Sequence, residues 1–353
     1  MKLRIATFNC ENLFSRPRVL NYASHEKATV PLARVALLDK LLGKPTYSAL
    51  DKKRILDLLE ELGTFVRINA LRGKLLSGGK VKPDGRADWV GGIELKRIDL
   101  PLAAQENTAR VIREVAADVQ CVAEVEDRGT LEAFAKQFLS GDSAYPYNLL
   151  IDGNDRRGID VGLLTRLPLL EVQTHIFDTV AGSASRVFSR DCLEVTLGLP
   201  GGKRVHVLVN HFKSKMGAPA QTGRRRKAQA IRVAQILSRY DLKRDLVAVA
   251  GDLNDTPDSS ALEPLLGAIG LVDVLAAKFP TAADRWTYRT KEQIDYLLVS
   301  RALADAMTGA GIERRGLLNA ATLTDGAVQS FPTVTDDTND ASDHCAVWGE
   351  FKI

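Results

Sequence analysis

The sequence predicts a layered α/β protein built partly from antiparallel hairpins, and three observations predict it. Short runs rich in Val, Leu, Ile and aromatic residues recur along all 353 residues, most of them bounded by turn residues. Amphipathic segments of helical period lie between them. Two of the runs, 192–197 (CLEVTL) and 204–209 (RVHVLV), are joined by a short turn containing Gly201 and Gly202. Such a connection suits antiparallel neighbours rather than a doubly wound parallel sheet.

The first strand is expected over 2–8 (KLRIATF). A helix follows over 48–62, with Ser48 as N-cap, Asp51 three residues on, a stripe of Ile55, Leu58, Leu59 and Leu62, and Gly63 as its stop. TFVRINALRGKLL and DWVGGIELKRI flank Gly78-Gly79 and read as a β-hairpin. A second helix is expected over 108–117, where Val111, Ile112 and Val115 share a face. Strands follow at 119–123 (VQCVA), 160–164 (DVGLL), 192–197 and 204–209. Residues 225–239 repeat the helical pattern through Ile231, Ala234 and Leu237. Strands at 246–250 (LVAVA), 294–299 (IDYLLV) and 345–351 (CAVWGEF) complete the set. The chain has no internal repeat and no low-complexity tract.

Apolar residues make up 45% and charged residues 26%, as in ordinary globular proteins. A net charge of +4, from 48 basic and 44 acidic residues, permits a polyanionic partner without demanding one. No run of about 18 apolar residues suggests a membrane span. Residues 1–14 lack the apolar region and cleavage site of a signal peptide. The four cysteines, Cys10, Cys121, Cys192 and Cys345, form no CxxC pair. They are expected as buried free thiols of a cytoplasmic protein.

Polar residues stand at the ends of the expected strands. The stretch VAVAGDLNDTPDS, 247–259, climbs through apolar alternation into Asp252 and Asn254, which lie two apart and so on one side of an extended backbone. It reads either as a turn, from its Gly-Asp and Asn-Asp dipeptides, or as a site. Asn9 ends the first strand within TFNCENLF, Glu124 stands in VQCVAEVED, and His211 follows RVHVLVN. Asp295 lies inside QIDYLLVS, where a carboxylate needs a partner. Asp343 and His344 precede the last strand in SDHCAVWGEF. Each alone has a structural explanation, but chance would scatter polar residues over both strand ends and both faces. Carboxylates and a carboxamide are hard oxygen ligands suited to Mg²⁺ or Mn²⁺, whereas zinc would draw more His or Cys. Imidazoles suit acid–base work near neutral pH.

TFNCENLF, AEVED, RGIDVGLLTR, VNHFKSK, GDLND, IDYLLVS and SDH occur in the order found in the endonuclease/exonuclease/phosphatase family, which includes deoxyribonuclease I and exonuclease III. The chain resembles that family over residues 1–14 and about 105–353. The resemblance implies a four-layer α/β sandwich, two mixed β-sheets flanked by helices, with its site at one edge. It implies that Asn9, Glu124 and Asp343 bind Mg²⁺, and that Asp252 and Asn254 position the attacking water and contact the phosphate. It makes His344 the catalytic imidazole, oriented by Asp295, and His211 a second histidine, for which Asp160 is the expected partner. Arg157 and Arg190 would contact the substrate phosphate through forked donors.

From Asn9 to Glu124 the chain is much longer than in compact members, so one domain with an insertion at about 15–105 is expected. Residues 64–97 of that insertion carry Arg67, Arg72, Lys74, Lys80, Lys82, Arg86, Lys96 and Arg97 against Asp84, Asp88 and Glu94. This admits a solvated face, a lid, a dimer contact or a nucleic-acid platform, the last favoured by its charge. GRRRK at 223–227 reads as the solvated start of a helix or as a phosphate contact, since basic residues in a first turn oppose the macrodipole. Aromatic residues are only 6% and show no stacking spacing, which argues against sequence-specific reading. The leading expectation is a Mg²⁺-dependent nuclease of low sequence specificity acting on nucleic acid. The alternatives are a phosphatase or phosphodiesterase for a small molecule or lipid headgroup, and a non-catalytic binding protein on the same fold.

Overall fold

The computed structural model describes residues 1–13, 18–20, 25–97, 101–155, 157–267 and 270–353. Phe14, the last residue of the first motif, lies outside them, as do residues 15–17, 21–24 and 98–100 of the expected insertion. In chain order, β1 (Lys2–Leu13) is followed by α1 (His25–Leu42), α2 (Ala49–Glu61), β2 (Val66–Arg72), β3 (Leu76–Ser77), β4 (Lys80–Val81) and β5 (Val90–Leu95). Next come α3 (Leu102–Val115), β6 (Val119–Val125), α4 (Arg128–Phe138), β7 (Tyr147–Leu150), β8 (Asp160–Thr165) and β9 (Leu169–Gln173). β10 (Cys192–Gly198), β11 (Arg204–His211), α5 (Pro219–Leu237), β12 (Leu246–Asp252), α6 (Glu263–Leu266) and β13 (Val272–Asp273) follow. The chain closes with α7 (Val274–Lys278), β14 (Asp295–Val299), α8 (Arg301–Ala304), β15 (Met307–Glu313), α9 (Ala320–Leu323) and β16 (Ala346–Lys352).

Contacts divide the chain into two compact units, Met1–Phe14 with Leu100–Ile353, and Ser15–Asp99. The larger unit holds two six-stranded sheets, ordered β15-β16-β1-β6-β8-β7 and β13-β14-β12-β11-β10-β9. Both are mixed, because β1 pairs parallel with β6 and β11 parallel with β12 while the other pairings are antiparallel.

Period two decides how the sheets stack. On β1, Leu3 and Ile5 join a core with Cys121 and Leu163 of the first sheet and Val195, Val207, Ala248 and Leu297 of the second. Ala6 and Phe8, of opposite parity, pack instead under α3 and α4 against Ile112 and Phe134. On the far side Leu208, Val249 and Leu298 meet Val233 and Ile236 of α5. Strands buried on both faces read as continuous apolar runs, and helix–sheet–sheet–helix layering follows. This is the expected four-layer sandwich.

The smaller unit has its own core, in which Leu38, Leu42, Ile55, Leu58, Val66, Val81 and Trp89 pack together. Ser48 and Asp51 close a reciprocal capping box at the start of α2, as expected. The expected hairpin is two nested ladders: β2 pairs with β5, and a smaller hairpin of β3 and β4 turns at Gly78-Gly79. α5 begins at Pro219, so GRRRK occupies its second turn and the macrodipole objection falls. All four cysteines are free and buried. Among the described residues no helix is long and apolar enough to cross a membrane.

Candidate active site

One rung of the second sheet carries three of the expected site residues. In the register of β11, β12 and β14, His211 stands opposite Asp252, and Asp252 opposite Asp295. Each continues an inward row at period two: Val207 and Val209 precede His211, Ala248 and Ala250 precede Asp252, and Leu297 and Val299 follow Asp295. The rows that form the core therefore end in polar groups at one edge of the sandwich. Gly251 lets β12 approach β11 closely, since a Cβ there would meet the Asn210 carbonyl oxygen at 1.8 Å.

The first sheet meets this rung from across the core. Asn9 continues the Leu3–Ile5–Thr7 row of β1. Glu124 would face outward by parity, but it adopts φ 61° where the β6–β8 register shifts, a bulge that re-aims the side chain. Asn9 Nδ2 then donates to Glu124 Oε1 and to Asp252 Oδ2, each at 3.2 Å, and lies 3.4 Å from His344 Nε2. Asn9 Oδ1 accepts the Glu11 backbone N–H at 3.0 Å, so the amide turns its N–H groups toward the carboxylates.

His344 Nδ1 lies 2.9 Å from Asp295 Oδ2, leaving Nε2 facing Asp252 at 3.9 Å and Asp343 at 3.7 Å. Asp295 is the buried strand carboxylate that required a partner, and it has two. Besides His344 it accepts from the Thr287 hydroxyl at 2.8 Å. His211 Nε2 sits 3.5 Å from Asp252 Oδ2. Asn254, at φ 55°, donates its backbone N–H to Asp252 Oδ1 at 2.8 Å and its Nδ2 to Oδ2 at 2.9 Å. The turn and site readings of GDLND thus both hold: the turn is what holds the carboxylate.

Burial and charge set the protonation. Burial depresses the His344 imidazolium, but Asp295, Asp252 and Asp343 outweigh it and raise the pKa to about 10. His211 is held well below the usual imidazole value by burial and by the cations Arg190, His344 and Arg157, so it is neutral. Burial, with Asp295 and Glu124 nearby, pushes Asp252 up to about 7. The two histidines carry different charge in one site, which suits different roles.

An open cleft of about 360 Å³ extends from this centre, lined by Arg157, Arg190, Lys215, Met216, Tyr288 and Asp343 among others. Asp155 fixes both arginines: Arg157 Nη2 reaches its Oδ2 at 2.8 Å and Arg190 Nε at 3.3 Å. The expected pairing of Asp160 with His211 is not formed. Asp160 Oδ1 instead accepts the Gly153 N–H at 2.9 Å, and His211 Nδ1 has no partner among the described residues. A Cβ at Gly153 would lie 2.7 Å from that oxygen, so Asp160 and Gly153 together shape the loop that presents Arg157.

Sequence reasoning missed several contributors. Ser342 Oγ donates to the Asn9 carbonyl at 2.7 Å and accepts the His344 N–H at 3.0 Å, which ties the turn that carries the imidazole to the end of β1 in the same sheet. Its signal lies in SDH, beside Asp343 and His344. Glu11 accepts the Asp343 N–H at 2.7 Å, and burial with Asp343 and Asp340 nearby raises it to about 7. Tyr288 packs on His344 with ring centroids 4.8 Å apart. Arg226, inside GRRRK, is buried rather than solvated, bonding Asp255 at 2.7 Å and the Lys213 carbonyl at 3.1 Å.

Asp252, Asp295 and His344 place ligand atoms within 4.8 Å of one another. Asp295 is fully buried and already engaged by His344 and Thr287. A hard cation that retains several waters is better suited by the exposed side of the centre, where Glu11, Glu124 and Asp343 line the cleft.

The sequence profile of the Endonuclease/Exonuclease/phosphatase family matches residues 80–308. The chain belongs to that family. Its fold is shared by an AP endonuclease from Archaeoglobus fulgidus, 15% identical, TM-score 0.51, over 71% of this chain and 95% of that one. It is shared by the human nocturnin catalytic domain with bound sulfate, 14% identical, TM-score 0.50, over 72% and 88%. It is also shared by D. rerio TDP2 complexed with a single-strand DNA product, 15% identical, TM-score 0.50, over 71% and 92%. No curated protein sequence matches the chain. At these identities the structural likeness concerns the deoxyribonuclease I-like fold, while the family membership makes the chain a phosphoesterase of the phosphodiesterase and nuclease type. Enzymes of the Endonuclease/Exonuclease/phosphatase family are divalent-metal dependent.

Proposed function

We propose that the chain hydrolyses phosphodiester bonds of nucleic acid with low sequence specificity, by in-line attack of water and with Mg²⁺ as its cofactor. The observation that carries this reading is the meeting of Asn9, Asp252 and His344 at the head of a cleft that also presents Arg157 and Arg190. Asp252 and His344 hold the attacking water between them, and the Asp295 carboxylate fixes the imidazole orientation. Neutral His211 and the Asn254 amide offer N–H groups to the phosphate oxygens, and the two guanidinium groups bind the remaining negative charge. Glu124 and Asp343, with Asn9 beside them, would hold the ion. Their hard oxygen donors fit Mg²⁺, and burial first, then the neighbouring carboxylates, raises the pKa values of Glu11 and Asp252 at that pole. Bound there, the ion would neutralise charge on the phosphate and the leaving oxygen. The DNA product held by the D. rerio TDP2 structure supports the choice of nucleic acid.

A second reading, a phosphoesterase for small molecules, is favoured by the cleft itself. Its walls include Ile159, Met216, Tyr288 and Ile294, and a volume of about 360 Å³ suits a small ligand. Supercoiled plasmid, single-stranded RNA and a small phosphomonoester should be assayed side by side with Mg²⁺, Mn²⁺ and chelator, with His344→Ala controlling for contamination. Metal-dependent nicking by wild type alone is expected. Phosphate release from the monoester with plasmid intact would overturn the nuclease reading.

A further inference from the structure

The smaller unit sorts its basic residues into two groups. Arg67 is paired with Glu94 at 2.7 Å, Arg86 donates to the Gly91 carbonyl at 2.6 Å and lies over the Trp89 ring, and Lys96 caps the Gly63 carbonyl at 2.7 Å. These are committed to the fold of the unit. Lys74, Lys80 and Lys82 are exposed, and their ammonium groups have no hydrogen-bond or ion-pair partner among the described residues. Among the described residues the Arg72 guanidinium makes only a long 3.4 Å bond, to the Ala87 carbonyl. The nearest acid in sequence, Asp84, is engaged by Lys52 at 2.6 Å. Lys80 and Lys82 alternate with buried Val81, so both stand on the outward side of the small hairpin. That hairpin is held firmly, because Val81 belongs to the core with Trp89 and Ile55.

We infer that the end of β2 and the β3–β4 hairpin form a binding surface for the sugar–phosphate backbone of nucleic acid, contacting it through Arg72, Lys74, Lys80 and Lys82. The inference rests on the nucleic-acid reading above and adds a second contact region to it. Charge complementarity selects the partner. Four uncompensated cations on a rigid support release counterions when they meet phosphates, and this gives affinity without base reading. The same residues offer no aromatic platform for stacking, so double-stranded nucleic acid is the occupant argued for.

Binding should be measured with the full chain carrying His344→Ala, in chelator, using a fluorescent 30-base-pair duplex across a salt series. Each phosphate contact contributes about 0.9 to the slope of log K against log salt on duplex DNA. Lys80→Gln/Lys82→Gln should flatten the slope by about 1.8, and the quadruple glutamine variant by about 3.6. Lys53→Gln/Arg54→Gln, which removes two exposed charges from α2, should leave the slope unchanged. Thermal melting of each variant shows that the unit remains folded. Equal flattening by both double variants would overturn the surface, reducing it to net charge. So would retained affinity in a folded quadruple variant, or binding of phosphatidylserine vesicles in place of the duplex. Cleavage is read separately on chain with His344 intact. Surface-dependent binding without cleavage upholds the surface and sinks the nuclease reading, and cleavage with an unaffected slope does the reverse.

Discussion

At the residue scale, the role proposed for His344 rests on the three carboxylates that surround it, one of which, Asp295, is buried and oriented by Thr287. His344→Ala and Asp252→Ala should each lower kcat by about 10³-fold, within the usual range for positioned acid–base groups, while far-UV circular dichroism stays unchanged. Retained turnover in either would remove that residue from the mechanism. The raised pKa values also make a stability prediction. Asp252 titrates near 7 in the folded chain against 3.8 unfolded, so the folded state binds the extra proton. Its contribution is fully present below 3.8 and is lost as pH rises through 7, and His344 adds the same sign between 6.5 and about 10. In chelator, the melting temperature should therefore fall from pH 5 to pH 8, and Asp252→Asn should reduce that fall. An unchanged or steeper fall in the variant would contradict this account of the charge. Asp295, His344 and Asp252 were legible in the sequence because a polar residue inside or beside an apolar run is conspicuous. Thr287 was not, because its role depends on a loop returning to a strand eight residues later.

Elements differed in how clearly they announced themselves. The central strands β6, β8, β10, β11, β12 and β14 are buried on both faces and read directly as apolar runs. The edge strands β7, β9 and β15 escaped notice. β9 is mostly exposed and β15, MTGAGIE, has little of the β-branched signal. α1 carries Pro31 in its interior, which reads as a breaker. α3 starts at Leu102, six residues before the expected Thr108, directly after Pro101. α5 was placed late because Pro219 and Gly223 look like loop residues, although proline is well suited to the first helical turn. That shift matters, because it moves Arg226 from a solvated start into a buried pairing with Asp255. Arg226→Ala would leave buried Asp255 with only the distant Lys215 ammonium, 3.9 Å away, and should cost about 3 kcal/mol in urea unfolding, with kcat falling as the GDLND and KSK loops lose their shared anchor. A loss below about 0.5 kcal/mol would show that the pair is effectively solvated.

At the scale of the whole molecule, two separate cores imply two cooperative units. The described residues of the Ser15–Asp99 unit pack around Trp89, whose indole N–H donates to the Tyr47 hydroxyl at 3.0 Å. Calorimetry should resolve two unfolding transitions, and Trp89→Ala, a large-to-small core change of about 3 to 5 kcal/mol, should lower only one of them. A single transition shifted as a whole would show one cooperative unit instead. The sequence marked this region by the distance from Asn9 to Glu124, by its charge and by the 48–62 helix and the hairpin, but not as a unit with its own core. Its core was hidden because its apolar residues are spread over two helices and four short strands.

The proposed reacting groups stand on strand ends whose register is locked by core rows, whereas Arg157, Lys215, Met216 and Tyr288 come from connecting loops. Chemistry and substrate choice are therefore separable in evolution and in engineering. Loops of other length or composition can be grafted around the cleft without disturbing the His211–Asp252–Asp295 rung. The tolerance stops at the strands, where deleting one residue from β12 would turn Asp252 toward the helices and leave a neighbour without a reactive side chain in its place.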